Sequence, residues 1–233
     1  MGGRDGVTDA PQDRLVVLAA ASLTDVLPPV VAAFEAEQGV AVTVSLAGSA
    51  ELVAQLLAGA PVDVIVTASE AAMAPALDAG AVTEVTPLAR NRPVVVVPAG
   101  NPGRVTSLAD LADPALLVAL CAPQVPCGAA AQAYLDAQGV TAAADTLDGD
   151  VRAVLTRVRL GEVDAGIVYR TDALAAGDAV ETVPGPDVAA AGTTYLVAVP
   201  VDAPRPRTAA AFVDHLQSPA TREVLADAGF AAP

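Results

Sequence analysis

Short apolar runs of strand length alternate with segments whose apolar residues recur at helical spacing, and this alternation limits what the chain can fold into. Leu15–Ala20 predicts a strand buried on both faces, because its apolar run has no polar alternation. Behind Ser22-Leu23-Thr24-Asp25, the residues Val26, Leu27, Val30, Val31 and Phe34 predict a helix that Gly39 closes. Val40–Leu46 predicts the next strand. Ser49 then opens a helix with Leu52, Val53, Leu56 and Leu57 on one face and Gly59 at its end. Val62–Thr67 predicts a third strand, and Ser69 the cap of a third helix. Such a rhythm predicts an α/β fold with a parallel, doubly wound sheet, whose ligands sit beyond the carboxyl ends of the strands.

A second cycle begins after Arg92. Strands are expected at Pro93–Pro98, Leu116–Cys121, Ala165–Tyr169 and Thr194–Pro200. Helices are expected from Cys127-Gly128 through Ala137, at Asp150–Leu160, at Thr208–Leu216 and at Ala220–Ala228. Ser107 and Asp110 are spaced as a capping-box variant.

With 233 residues and a hydrophobic fraction of 54%, the chain can bury one large core or two small ones. Aromatic residues are only 3% and Trp is absent, which argues against a stacking platform for nucleic acid. The net charge of −15 repels polyanions such as DNA, although salt screens that field within about 10 Å of a local site. No apolar run reaches the roughly 18 residues of a membrane span, and no signal-peptide core is present. Two cysteines and one histidine exclude four-cysteine zinc sites, iron–sulfur clusters and His-rich metal sites.

A helix start carries N–H groups without intrahelical partners and a partial positive charge. Two strand exits run into serines, Ser22 and Ser49, so both hydroxyls are expected at one sheet edge. Facing helix starts can hold an anion without any cationic side chain. Ordinary N-capping would explain either serine as well. In the second half the counterparts are the starts at Cys127-Gly128 and Asp150-Val151-Arg152, with backbone N–H donors. Tyr169 ends a buried strand from which its hydroxyl can reach the same edge. A core tyrosine satisfied locally is the alternative.

Signs of catalysis are weak. The serine context Ala47-Gly48-Ser49-Ala50 is not a Gly-x-Ser-x-Gly elbow, and without Lys there is no phosphate-binding Gly-Lys loop. His215, flanked by Val213, Asp214 and Leu216, reads as a surface residue. Asp63, Asp150 and Asp164 form a candidate carboxylate set for a hard cation. Tyr134, Tyr169 and Tyr195 are scattered, which argues against an iron site.

Ala19-Ala20-Ala21-Ser22-Leu23, Ala58-Gly59-Ala60-Pro61-Val62-Asp63, Asp150-Val151-Arg152 and Gly166-Ile167-Val168-Tyr169-Arg170-Thr171-Asp172 occur in the order seen in the periplasmic molybdate-binding proteins, and the chain resembles that family from Leu15 to Phe230. Ala228-Gly229-Phe230 is similar to the family's closing segment. The resemblance implies a two-lobed periplasmic-binding-protein fold, each lobe a doubly wound sheet, with the ligand in the interlobe cleft. It implies no enzymatic activity, no cofactor, and molybdate or tungstate as ligand, held by neutral donors only. Carried over by motif, those donors are Ser22, Ser49, the N–H of Cys127, the N–H of Val151 and Tyr169. Gly48-Ser49-Ala50 is less serine-rich than many relatives, and Cys127 stands where relatives often have Ala, a change that a backbone donor tolerates. Sulfate or another tetrahedral oxyanion, or an enzyme or sensor on the same fold, stays open at this point.

The implied organisation is a first lobe of residues 14–91 with 194–233 and a second lobe of 92–193, preceded by a flexible lead-in, 1–13. Two crossings near 90–93 and 192–194 would permit hinge closure. The implied partner is the membrane permease of an ABC transporter, served by a monomer outside the cytoplasmic membrane. The natural precursor is then expected to carry an export signal, with a lipid-anchored Cys in place of Met1 as one form of it. An exported chain meets an oxidising compartment, where Cys121 and Cys127 have one possible pairing. Two free buried thiols are the alternative.

Overall fold

The computed structural model describes residues 14–186, 188 and 191–233, so the expected lead-in, 1–13, lies outside the described residues. Two five-stranded sheets carry the fold. The first is built from β1 (Arg14–Ala20), β2 (Ala41–Ala47), β3 (Val64–Thr67), β4 (Thr86–Asn91) and β10 (Thr193–Ala198), in the order β2-β1-β3-β10-β4. The second is built from β5 (Pro93–Pro98), β6 (Val118–Cys121), β7 (Ala144–Asp148), β8 (Ala165–Tyr169) and β9 (Val180–Val183), in the order β7-β6-β8-β5-β9.

The sheets are mixed, which corrects the expectation of all-parallel pairing. β1 runs parallel to β2 and β3, and β6 runs parallel to β7 and β8. β10 is antiparallel to β3 and β4, and β5 is antiparallel to β8 and β9. The reason is where these strands begin. β5 and β10 are the strands by which the chain enters one sheet from the other, so each starts at the shared edge and runs away from it. Their neighbours β3 and β8 run towards that edge and deliver their carboxyl ends there.

Helices cover both faces of each sheet, which is why the central strands read as continuous apolar runs. In β1, Leu15, Val17 and Ala19 face α1 (Leu27–Gln38), α7 (Pro206–Leu216) and α8 (Pro219–Asp227), where Phe34 and Phe212 pack edge to face at 4.9 Å. Leu18 points the other way, onto α2 (Ser49–Leu57) and α3 (Glu70–Asp78). The valines of β5 alternate likewise between two cores. One contains α5 (Val151–Arg159), and the other contains the inner face of α4 (Pro126–Asp136).

Helix starts differ from expectation in an instructive way. Ser22 lies in a single 3₁₀ turn, Ala21–Leu23, and α1 begins only at Leu27. Pro28 and Pro29 lack N–H groups and are tolerated only in a first turn, so they fix where that helix begins. Ser49 is the first residue of α2, and Gly48 is its cap. Ser69 does cap α3, accepting the Ala72 N–H, and Asp150 caps α5. Among the described residues, no helix is long and apolar enough to cross a membrane.

Candidate functional site

β1 and β3 end at the edge shared by the two sheets, as does β8, while β5 and β10 begin there. Ser22, Ser49, Cys127, Val151 and Tyr169 all line one small pocket at this edge, with room for a ligand of few atoms. Ser22, Ser49, Val151 and Tyr169 are buried, and Asp150 is the one charged residue in the lining.

The three hydroxyls follow one pattern. Neither Ser22 nor Ser49 caps its own helix. Ser49 Oγ instead accepts the Ala68 N–H at 3.0 Å, which leaves its proton to donate elsewhere. Ser22 Oγ lies 2.6 Å from the Tyr195 hydroxyl, and Asn91 Nδ2 lies 3.4 Å from the same Tyr195 oxygen. With Asn91 donating to Tyr195 and Tyr195 to Ser22, the Ser22 proton is likewise left over. Tyr169 Oη is buried without a hydrogen-bond partner among the described residues. Thr193 is beside it; its hydroxyl donates to the Ala68 carbonyl, and its oxygen can still accept from Tyr169. Burial pushes both tyrosine hydroxyls far above their ordinary range, so both stay protonated and act as neutral donors.

Two helix starts supply the backbone donors. Pro126 begins α4 and has no N–H, Ala129 N donates to Val125 O, and no side chain caps the helix. Cys127 and Gly128 therefore carry the first-turn N–H groups without intrahelical partners. At α5, Asp150 Oδ1 accepts from Arg152 N at 2.8 Å and Ala153 N at 3.0 Å. That takes two donors and leaves Val151 N as the free first-turn group. The loop before α4 is pinned by a Cys121–Cys127 disulfide with Cα atoms 5.7 Å apart. A Cβ on Gly128 would lie 1.9 Å from the Ala122 carbonyl oxygen, so only glycine lets the helix pack this tightly on the strand exit.

The two sheets touch across the pocket. A Cβ on Gly48 would sit 2.9 Å from Gly149 O, which marks a close approach of the two sheets' loops at the pocket's rim. Arg152 Nη1 reaches Asp25 Oδ2 across the seam at 2.7 Å and lies 3.5 Å from the buried Asp172. Burial pushes the Asp172 carboxyl up to about 7, against the pull of the Arg152 guanidinium.

Sequence reasoning missed several residues here. Tyr195 and Asn91 stand behind Ser22, and Asn91 Nδ2 also donates to Thr171 Oγ1 at 2.8 Å. Nothing local marks these residues, because their partners are far away in the chain. Tyr169 and Tyr195 are not scattered: their rings are 6.3 Å apart. Tyr134 does lie elsewhere, in a separate core. His215 is mostly buried and not a freely exposed surface residue. Its ring packs edge to face on Phe34, and its Nε2 is 3.1 Å from the Val30 carbonyl oxygen. The candidate cation ligands are dispersed and spent on backbone N–H groups. Asp63 accepts from Val16 and Arg205, Asp150 from its own helix, and Asp164 from Leu117. Among the described residues, no cluster of His, Cys, Asp and Glu could hold a metal ion.

Comparison with known proteins places the chain in a family. The molybdate-binding protein ModA of Mycobacterium tuberculosis is 38% identical over 94% of this chain and 85% of its own length. The protein of the same name from Escherichia coli is 32% identical over 95% of this chain and 90% of its own length. Among solved structures, the periplasmic molybdate-binding protein of Azotobacter vinelandii superposes with a TM-score of 0.75 at 20% identity, covering 94% of this chain and 99% of that one. The sulfate-binding protein SubI of Mycobacterium tuberculosis superposes with a TM-score of 0.80 at 23% identity, covering 93% and 86%. At those identities the superpositions establish the two-lobed fold alone. The profile described as bacterial extracellular solute-binding protein matches residues 15–231, and with two curated relatives above 30% identity the chain belongs to that family.

Proposed function

We propose that this chain captures molybdate or tungstate outside the cytoplasmic membrane and delivers it to the permease of an ABC importer. The observation that carries the proposal is the concentration of donors: three hydroxyls and two first-turn N–H groups line one small pocket. Its one carboxylate, Asp150, turns Oδ1 back onto its own helix. Such a lining complements a fully deprotonated tetrahedral dianion. Phosphate at neutral pH keeps at least one proton, which would need an acceptor, and is disfavoured. Size then separates molybdate and tungstate from sulfate. The ModA relatives, named for molybdate binding, support the same ligand.

In this function Ser22, Ser49 and Tyr169 donate through hydroxyls, and Cys127 and Val151 through backbone N–H groups. The chain acts as a binding protein and not an enzyme, as a monomer without a cofactor. Residues 14–91 with 194–233 move against 92–193 as the lobes close. Closure gives the permease a shape that distinguishes loaded from empty protein.

Calorimetric titration and thermal melts against molybdate, tungstate, sulfate and phosphate test the proposal. Molybdate and tungstate should bind tightly and raise Tm, and sulfate and phosphate should do so little. Phosphate binding as tightly as molybdate would sink the assignment.

A further inference from the structure

Asp172 is a carboxylate that the proposed ligand site does not use. Its side chain is fully buried, faces the Tyr169 backbone and the Arg152 guanidinium, and makes no hydrogen bond of good geometry among the described residues. Arg152 Nη1 is 3.5 Å away, within ion-pair range but beyond good hydrogen-bond geometry. The same Nη1 reaches forward to Asp25 Oδ2 at 2.7 Å. Asp172 is in α6 (Arg170–Ala176), which packs beside α5, so Arg152 and Asp172 belong to the second sheet's body. Asp25 follows β1 in the first. Opening the cleft would leave the Arg152–Asp172 pair together and break Arg152–Asp25.

We propose that Arg152, anchored from behind by Asp172, latches onto Asp25 to hold the lobes closed, so that these three residues set how long the bound oxyanion stays. The position supports the role. Asp25 is three residues beyond Ser22, and Arg152 directly follows Val151, so the latch spans the seam next to two of the proposed donors. Arg152 is absent from the pocket lining and its N–H is taken by Asp150, which makes it a positioning residue and not a ligand. Its side chain is 27% exposed and that of Asp25 47%, so the bridge is solvent-screened and its contribution is modest. Asp172 matters because it restrains the guanidinium before closure, which lowers the entropy lost when the bridge forms.

The latch and plain electrostatics predict opposite signs for one substitution. If only the charge near the site mattered, Asp25→Asn would remove a negative charge and tighten binding of a dianion. If the latch operates, Asp25→Asn loosens binding.

The inference rests on the proposed oxyanion function, and the test separates the two. Dissociation and association rates are measured by stopped flow for molybdate, tungstate and sulfate, using the anion that binds tightest. Asp25→Asn should speed release about threefold, with association little changed. Because removing Arg152 alone would strand Asp172, the comparison background is the double variant Arg152→Met with Asp172→Asn, which leaves no buried charge. In that background Asp25→Asn should no longer speed release. High salt should bring wild-type release towards the Asp25→Asn rate. Tighter or unchanged binding by Asp25→Asn, or an equal acceleration in both backgrounds, overturns the latch alone. If none of the three anions binds the wild type, the oxyanion function falls and the latch falls with it.

Discussion

Replacing Tyr169 by Phe should push affinity and stability in opposite directions. The ring sits at the end of β8, fully packed, and its hydroxyl is buried without a hydrogen-bond partner among the described residues. An unsatisfied buried polar group costs about 1–3 kcal/mol. Phenylalanine keeps the ring and removes that cost, so the ligand-free variant should gain about 1 kcal/mol, or roughly 2–4 °C in Tm for a chain of this size. The same hydroxyl is proposed to donate to a charged oxyanion, a bond worth about 1.5–3 kcal/mol, so Kd should rise about tenfold to a hundredfold. Ser49→Ala provides the contrast. It should weaken binding by a similar factor but also destabilise the free protein, since the buried Ala68 N–H loses its acceptor. Melting curves with and without molybdate, together with calorimetric Kd values, give both quantities. A Tyr169→Phe variant that melts lower than wild type and binds unchanged would refute the reasoning, because the hydroxyl would then be a structural donor.

Reducing the Cys121–Cys127 bridge, or replacing both cysteines by Ser, should cost about 2 kcal/mol in chemical denaturation, the value for so short a loop. Unchanged stability on reduction would show that the bridge does not form in the isolated protein. For Asp172, a carboxyl raised from 3.8 to about 7 binds its proton more tightly in the folded state than in the unfolded chain. Its contribution therefore favours folding as pH falls below 7 and is lost as pH rises through 7, on the order of a few kcal/mol across that window. Denaturation at pH 5 and pH 8 should show this slope in the wild type, and a shallower one in Asp172→Asn. An identical slope in both would assign it to other groups. Gly48→Ala inserts a methyl group 2.9 Å from Gly149 O at an ordinary helix-start conformation, so it should weaken ligand binding without lowering the ligand-free Tm. A lower Tm with unchanged Kd would place the clash inside one lobe.

The sequence made the buried framework legible and left the edges dark. Pro93–Pro98 and Ala165–Tyr169 are strands over just those residues, because uninterrupted apolar runs fit no other half of an α/β fold. β7, Ala-Asp-Thr-Leu-Asp, is an edge strand with both faces largely in solvent, so it has no apolar rhythm to betray it. β4 contains Pro87 opposite an irregular stretch of β10, and β9 is too short to show a period. At the pocket, Ser22 and Ser49 were visible because they follow strands, but the sequence could not say whether they cap helices. Their true partners, Tyr195 and the Ala68 N–H, come from other strands. His215 shows the same limit. Its neighbours Val213 and Asp214 suggest exposure, and only the packing of α7 on α1 brings its ring against Phe34.

A chain of net charge −15 with no Lys holds its proposed anion by dipoles, and this follows from what must be discriminated. A guanidinium in the pocket would attract any oxyanion, protonated or not, because a point charge reads charge far better than it reads hydrogen positions. Hydroxyls are different, since each can donate or accept. Here one acceptor position on each is occupied from behind: Ala68 N–H donates to Ser49, and Tyr195 donates to Ser22 when Asn91 donates to Tyr195. Each serine thereby keeps its proton available to donate into the pocket. Tyr169 has its tip buried beside Thr193, with no hydrogen bond of its own formed among the described residues. Arg152, which follows Val151, is kept outside the lining beside Asp25 and Asp172. The negative field of the whole molecule decays over about 10 Å in physiological salt, whereas the donors act at contact. Affinity and selectivity can therefore be set by a handful of oriented protons inside a protein whose surface repels anions.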